Sequence, residues 1–158
     1  ALAYSIYYVL QLFDLDNKLS KFKGTVSAPS GEWLPTRAAK ELDDELRREG
    51  IAFELAPRLS TMAGAFVPDF AIPSSKNAVY FVEVKPEVSL AGSYPLSFMG
   101  QHLKSAYPNA GTILVARQIT DELRSKLSRG WDYVFDITEL DKLTSMLKES
   151  RAKAKRSS

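Results

Sequence analysis

Hydrophobic positions along the chain recur with two different periods, and each change of period marks a new element. Between Pro35 and Glu49, Ala38, Ala39, Leu42 and Leu46 fall at spacings of three and four, as a half-buried helix requires. Pro35 suits the first turn of that helix and Gly50 its stop. Ile51 to Leu55 reads as a strand, followed by a loop over residues 57–64. Phe66 to Ile72 predicts a second strand, interrupted by Pro68, and residues 73–77 a turn. Ala78 to Val84, β-branched and aromatic, predicts a third strand halted by Pro86. A helix over Leu96 to Tyr107 and a buried strand over Thr112 to Ala116 come next. Thr120 then opens a helix over Asp121 to Ser128, stopped near Gly130, and Tyr133 to Ile137 is a fifth strand. Thr138 and Asp141 have the spacing of a capping pair for a last helix. The order predicts an α/β fold: a mixed central sheet flanked by helices, its early strands meandering and its later ones crossing over.

Residues 1–30 read as an extension to a core at 31–147. Tyr4 to Leu12 and Leu19 to Val26 suit a hairpin, or a short helix for the first of them. No basic residue is interleaved with Tyr4, Tyr7, Tyr8 and Phe13, so they suit a core or a contact with a second copy better than a base-stacking platform. Residues 148–158 carry five basic side chains and one acid, +4 of a net +2, which leaves −2 for the rest. This tail is expected to be solvated and disordered, adding salt-sensitive affinity for phosphate backbones.

A chain of 158 residues suits one domain. It has no cysteine and a single histidine, His102, which removes thiolate and multi-imidazole zinc sites from consideration. A metal would be held by carboxylates, carbonyls and water, a donor set for Mg²⁺ or Mn²⁺. No apolar run is long enough to span a bilayer, and the start lacks the basic lead and cleavage site of a signal peptide. The expectation is a cytoplasmic protein with no membrane partner.

Chemistry concentrates in Val67-Pro68-Asp69-Phe70 and Phe81-Val82-Glu83-Val84-Lys85-Pro86. Side chains alternate along a strand, so Glu83 and Lys85 share a face while Val82 and Val84 point away. The charged pair is expected at the strand's end, where that face opens to solvent. If the preceding strand pairs with this one, Asp69 comes beside Glu83. Two carboxylates so close repel unless a divalent cation lies between them. Asp69 and Glu83 are therefore candidate metal ligands, with the backbone carbonyl of Val84 a further one. Lys85 would orient or help deprotonate a water nucleophile, or steady charge on a phosphate.

Pro68-Asp69 followed by Glu83-Val84-Lys85, each acid preceded by apolar residues, resembles the PD-(D/E)xK nuclease superfamily, the restriction-endonuclease-like fold. The element order agrees over about residues 32–137. The run from Gly50 to Phe70 is similar to small phage and bacterial endonucleases, Holliday-junction resolvases and heteromeric-transposase endonuclease subunits. The resemblance implies a DNA endonuclease that uses Mg²⁺ or Mn²⁺, with a homodimer to cut two strands. RNA as substrate stays open. It also implies a glutamate from the preceding helix, for which Glu41 and Glu45 are the candidates, with Glu45 nearer the apolar face. Ala39 stands where many relatives place that glutamate, which keeps a second reading in play: a module of this fold that binds nucleic acid or a partner without catalysis. Gln101 resembles a glutamine that contacts phosphate or water in some relatives. His102, Lys104 and Arg117 are expected to serve structural or solvated roles.

Overall fold

The computed structural model describes residues 26–27, 33–34, 36–62 and 64–158. The predicted hairpin or helix before Val26, with Tyr4, Tyr7, Tyr8 and Phe13, lies outside the described residues. Strand β1 (Val26–Ser27) pairs antiparallel with β2 (Trp33–Leu34). Helix α1 (Arg37–Arg48) starts where the Thr36 hydroxyl accepts the Ala39 amide at 3.1 Å, satisfying one of the otherwise unpaired N–H groups of the first turn. Its stripe of Ala38, Ala39, Leu42 and Leu46 is buried. Gly50 turns the chain away at φ +66°, a conformation that favours glycine.

The strand expected over Ile51 to Leu55 is shorter, with only β3 (Glu54–Leu55) paired. The loop expected at 57–64 contains a hairpin, β4 (Leu59–Thr61) with β5 (Gly64–Phe66). Phe66 to Ile72 is likewise not one strand. Pro68 has no amide to give to a ladder, and the chain leaves β5 before it and resumes as β6 (Phe70–Ile72) after it. Strand β7 (Tyr80–Glu87) runs through Pro86 instead of halting there. The register against its neighbour shifts between Lys85 and Glu87, so a bulge absorbs the proline. Helix α2 (Ser93–Ala106) begins three residues before the expected Leu96, because Pro95 falls in its first turn, where no amide is required.

Strand β8 (Gly111–Arg117), helix α3 (Asp121–Leu127) and strand β9 (Tyr133–Asp136) follow as expected, with Thr120 accepting the Leu123 amide. The last helix, α4 (Leu140–Ser157), is entered through a 3₁₀ turn over Ile137–Glu139. The capping box belongs to this turn and is Asp136 with Glu139, not Thr138 with Asp141, because the strand ends in a carboxylate already placed at the cap. Helix α4 also overturns the disordered tail. Residues 148–158 hold no glycine or proline and are rich in Ala, Lys and Arg, strong helix formers. Lys148 pairs with Glu49, and Arg151 donates to the Gly50 carbonyl at 3.2 Å, which ties this helix to the end of α1. Beyond Arg151 it is solvent-exposed, as expected of the tail.

The central sheet has the order β3-β6-β7-β8-β9. Strands β3, β6 and β7 are antiparallel, and β7, β8 and β9 are parallel through α2 and α3. This is the mixed α/β sheet that the element order predicted. Helices α1 and α4 cover one face, packing on Phe70, Ile72, Val82, Val84, Ile113 and Val115. Helices α2 and α3 cover the other, against Ala71, Phe81, Leu114 and Val134, joined by Leu59 and Phe66 of the hairpin. No helix among the described residues is long and apolar enough to cross a membrane.

Candidate active site

Strand β7 carries the site because its alternation sorts its side chains. Val82 and Val84 join the core under α1, and Phe81 joins the core under α2. Glu83 and Lys85 follow Phe81 on the α2 side. The β6–β7 register pairs Phe70 with Val82 and Ala71 with Phe81, so one step further Asp69 falls opposite Glu83.

Asp69 sits just before β6, where the chain has bent away from the ladder, and its main-chain carbonyl accepts the Ala56 amide at 2.9 Å. Its carboxylate takes the place of the missing backbone: Oδ2 accepts the Val84 amide at 2.8 Å. In an extended strand a residue's N–H and C=O point to the same neighbour, so the Val84 carbonyl also projects toward the Asp69 side. Lys85 Nζ lies 3.6 Å from Glu83 Oε1.

The expected opening to solvent is not found. Asp69 is 4% exposed, Glu83 1% and the Lys85 side chain 12%. The physical reason is that β7 continues past Lys85 and the β4–β5 hairpin packs onto the same face. Tyr107 edges onto Phe81, with ring centroids 5.1 Å apart, and its hydroxyl reaches the Ser60 carbonyl of the hairpin at 3.4 Å. His102 fixes the hairpin too, its Nε2 lying 2.9 Å from the Thr61 hydroxyl, and burial lowers its pKa.

The structure brings Asp69, Glu83, Lys85 and Val84 together; it does not bring Glu41, Glu45 or Gln101 to them. Helix α1 lies across the sheet from Glu83. There Glu41 accepts from Arg117 at 2.6 Å, and Glu45 is paired with Arg48 one turn on. Gln101 is exposed on α2, donating to the Arg129 carbonyl at 3.2 Å. Lys104 is paired with Asp132. Among the described residues no group of three or more histidine, aspartate and glutamate side chains is arranged to hold a metal.

Two further clusters were not anticipated. Asp43 is the fully buried carboxylate of α1, accepting from Arg47 Nε at 2.6 Å, while its Oδ2 has no hydrogen-bond partner among the described residues. Arg47 in turn lies over Phe53, 5.0 Å from the ring centroid. The signal was present: position 43 lies between Ala39 and Leu46 on the apolar stripe. The second cluster closes the carboxyl ends of β8 and β9. Asp136 accepts the Ile119 amide at 2.8 Å, and Glu139 accepts the Asp136 amide at 2.9 Å and Arg124 at 2.6 Å. The Asp136 amide, then the Arg124 guanidinium, hold the Glu139 carboxyl down at about 2. Burial acts to raise Asp136, but the amides of Ile119 and Thr138 outweigh it and keep its carboxyl below the ordinary range.

No protein-family model, no curated protein and no solved structure matches the chain.

Proposed function

We propose that the chain is a metal-dependent nuclease of the restriction-endonuclease-like arrangement, hydrolysing phosphodiester bonds in DNA. One observation carries this reading. Two buried carboxylates, Asp69 just before β6 and Glu83 on β7, lie at the end of one strand pair, Asp69 bonded to the Val84 amide and the Lys85 ammonium 3.6 Å from Glu83. Two negative charges side by side inside a protein repel one another, and a divalent cation between them offsets that repulsion. The donors fit Mg²⁺ or Mn²⁺: two carboxylates and the Val84 carbonyl, all hard oxygen. When bound, the cation supplies a Lewis acid and a more acidic bound water. Asp69 and Glu83 would hold it, and the Val84 amide orients the Asp69 carboxylate. Lys85, at the rim of the buried pair, meets the phosphate and offsets charge that develops there. The antiparallel β3-β6-β7 run followed by parallel crossovers supports the same reading. A homodimer, giving one site per strand, belongs to the proposal.

Incubation of linear, circular and branched DNA with Mg²⁺ or Mn²⁺ tests it. Cleavage is expected, and Lys85→Ala is expected to reduce it by about a hundredfold or more. Wild-type protein that cuts none of these substrates with either metal would sink the proposal.

A second reading, a nuclease-fold module that binds without cutting, is favoured by a separate observation. The acid pair is nearly closed to solvent, and the carboxylates of α1 do not join it. DNA binding without cleavage in the same assay selects this reading.

A further inference from the structure

On the outer side of α2 lies a groove that the acid pair does not use. It has a volume of about 220 Å³, and among its lining residues are Leu90, Tyr94, Phe98, Gln101, Lys126 and Arg129. Three features of it point to one kind of ligand.

Its apolar wall is aromatic and exposed. Tyr94 is 70% and Phe98 41% exposed, one turn apart on α2, with ring centroids 5.8 Å apart and planes tilted by 55°. The helix buries Leu96, Met99 and Leu103 on its other face, which leaves the two rings side by side as one exposed aromatic patch. The opposite wall is cationic. Among the described residues that line it, Lys126 and Arg129 are charged and none is a carboxylate. Lys126 has Glu122 3.6 Å away on the preceding turn, while Arg129 forms no ion pair among the described residues. The floor is rigid. Ser97 donates to the Lys126 carbonyl at 3.2 Å, Gln101 to the Arg129 carbonyl at 3.2 Å, and the Trp131 indole to the Leu96 carbonyl at 2.9 Å. A Cβ on Gly100 would stand 2.3 Å from the Gly130 carbonyl oxygen, so the walls already meet at closest approach.

Exposed rings facing cations on a preformed floor suit a polyanion that carries flat apolar groups. We propose that this groove binds an unpaired stretch of nucleic acid, stacking bases on Tyr94 and Phe98 and seating phosphates on Lys126 and Arg129. A groove of about 220 Å³ is on the scale of a single base, and a base presents its flat face to the rings only when it is unpaired. Leu90 is five residues beyond Lys85, at most about 18 Å along the chain. A strand held in the groove therefore lies within a few nucleotides of the acid pair. The proposal deepens the nuclease reading and rests on it for the strand's role as substrate; the binding itself stands on the groove.

The test is fluorescence anisotropy on the full chain carrying Lys85→Ala, without divalent metal. The probes are a labelled oligothymidylate, its RNA counterpart and a duplex of the same length. Tyr94→Ala and Phe98→Ala are each expected to weaken single-strand binding about tenfold or more. Tyr94→Trp is expected to keep it, which separates stacking from misfolding. Arg129→Ala is expected to lower the salt dependence by about 0.7 per phosphate lost. Preference for the DNA or the RNA probe identifies which polymer is bound. Single-strand affinity unchanged in Tyr94→Ala and Phe98→Ala overturns the proposal. So does a duplex that binds better than the single strand, or poly-glutamate that competes as well as the oligonucleotide, since charge alone then suffices. If binding depends on these rings but the wild-type chain cuts nothing, the nuclease reading fails and the groove assignment stands. If the wild type cuts and the rings are irrelevant, only the groove assignment fails.

Discussion

The Asp69 carboxylate replaces a missing backbone acceptor for Val84, and the proposed function gives it a second task, holding a cation. The first task alone predicts some loss of stability on substitution, so metal affinity is the sharper measurement. Calorimetry with Mn²⁺ is expected to show tenfold or greater weakening in both Asp69→Asn and Glu83→Gln. Unchanged affinity in both would remove them as ligands. Glu139 gives a prediction of a different kind. Its carboxyl lies at about 2, below its ordinary 4.5, so its contribution is complete above about 4.5 and is lost as pH falls toward 2. Glu139→Gln is expected to cost on the order of 1–2 kcal/mol at neutral pH after allowance for solvent screening. The gap from wild type should narrow in denaturation curves taken between pH 4.5 and 2. The pairing of Glu83 with Lys85 was legible because strand alternation is a local rule. The isolation of Glu41 and Glu45 was not, because the face of the sheet on which a helix packs is set by the connections between elements.

Among elements, the approach of α2 to the turn after α3 is the tightest feature. Gly100→Ala puts a methyl group 2.3 Å from the Gly130 carbonyl oxygen and 2.8 Å from the Trp131 ring. It is expected to destabilise the protein by about 1–3 kcal/mol, measured by urea denaturation, since backbone must move to admit it. A midpoint equal to wild type would show that the two elements separate easily. Proline had opposite outcomes at positions 68 and 86. Pro68 helps part β5 from β6, whereas Pro86 is carried inside β7 by a bulge. The difference is tertiary: β7 is paired along its length with β8, and that ladder resumes beyond the proline.

Over the whole molecule, charge and closure matter most. The basic tail continues α4 and projects Lys153, Lys155 and Arg156 into solvent beyond its last anchor at Arg151. Removing residues 152–158 is expected to weaken DNA binding chiefly at low salt. The slope of log affinity against log salt should fall by up to about 2.7 if all three side chains meet phosphates. An unchanged slope would leave the tail a passive end. Sedimentation tests the proposed homodimer directly, and a monomer at every accessible concentration removes it.

Element types and the α/β class were determined locally, by apolar period, caps and the distribution of glycine and proline. The Asp69, Glu83 and Lys85 constellation needed only strand alternation and one hairpin-like reversal, both written in the order of residues. Tertiary structure alone decided how the acid pair is enclosed, since the hairpin at Leu59–Phe66 and the far end of β7 close over it from elsewhere in the chain. It alone also gave the buried Asp43 its cation-capped setting beside Phe53, and set Tyr94 and Phe98 in one groove with Lys126 and Arg129. Burial and juxtaposition belong to packed pairs of elements, and no single segment contains both partners.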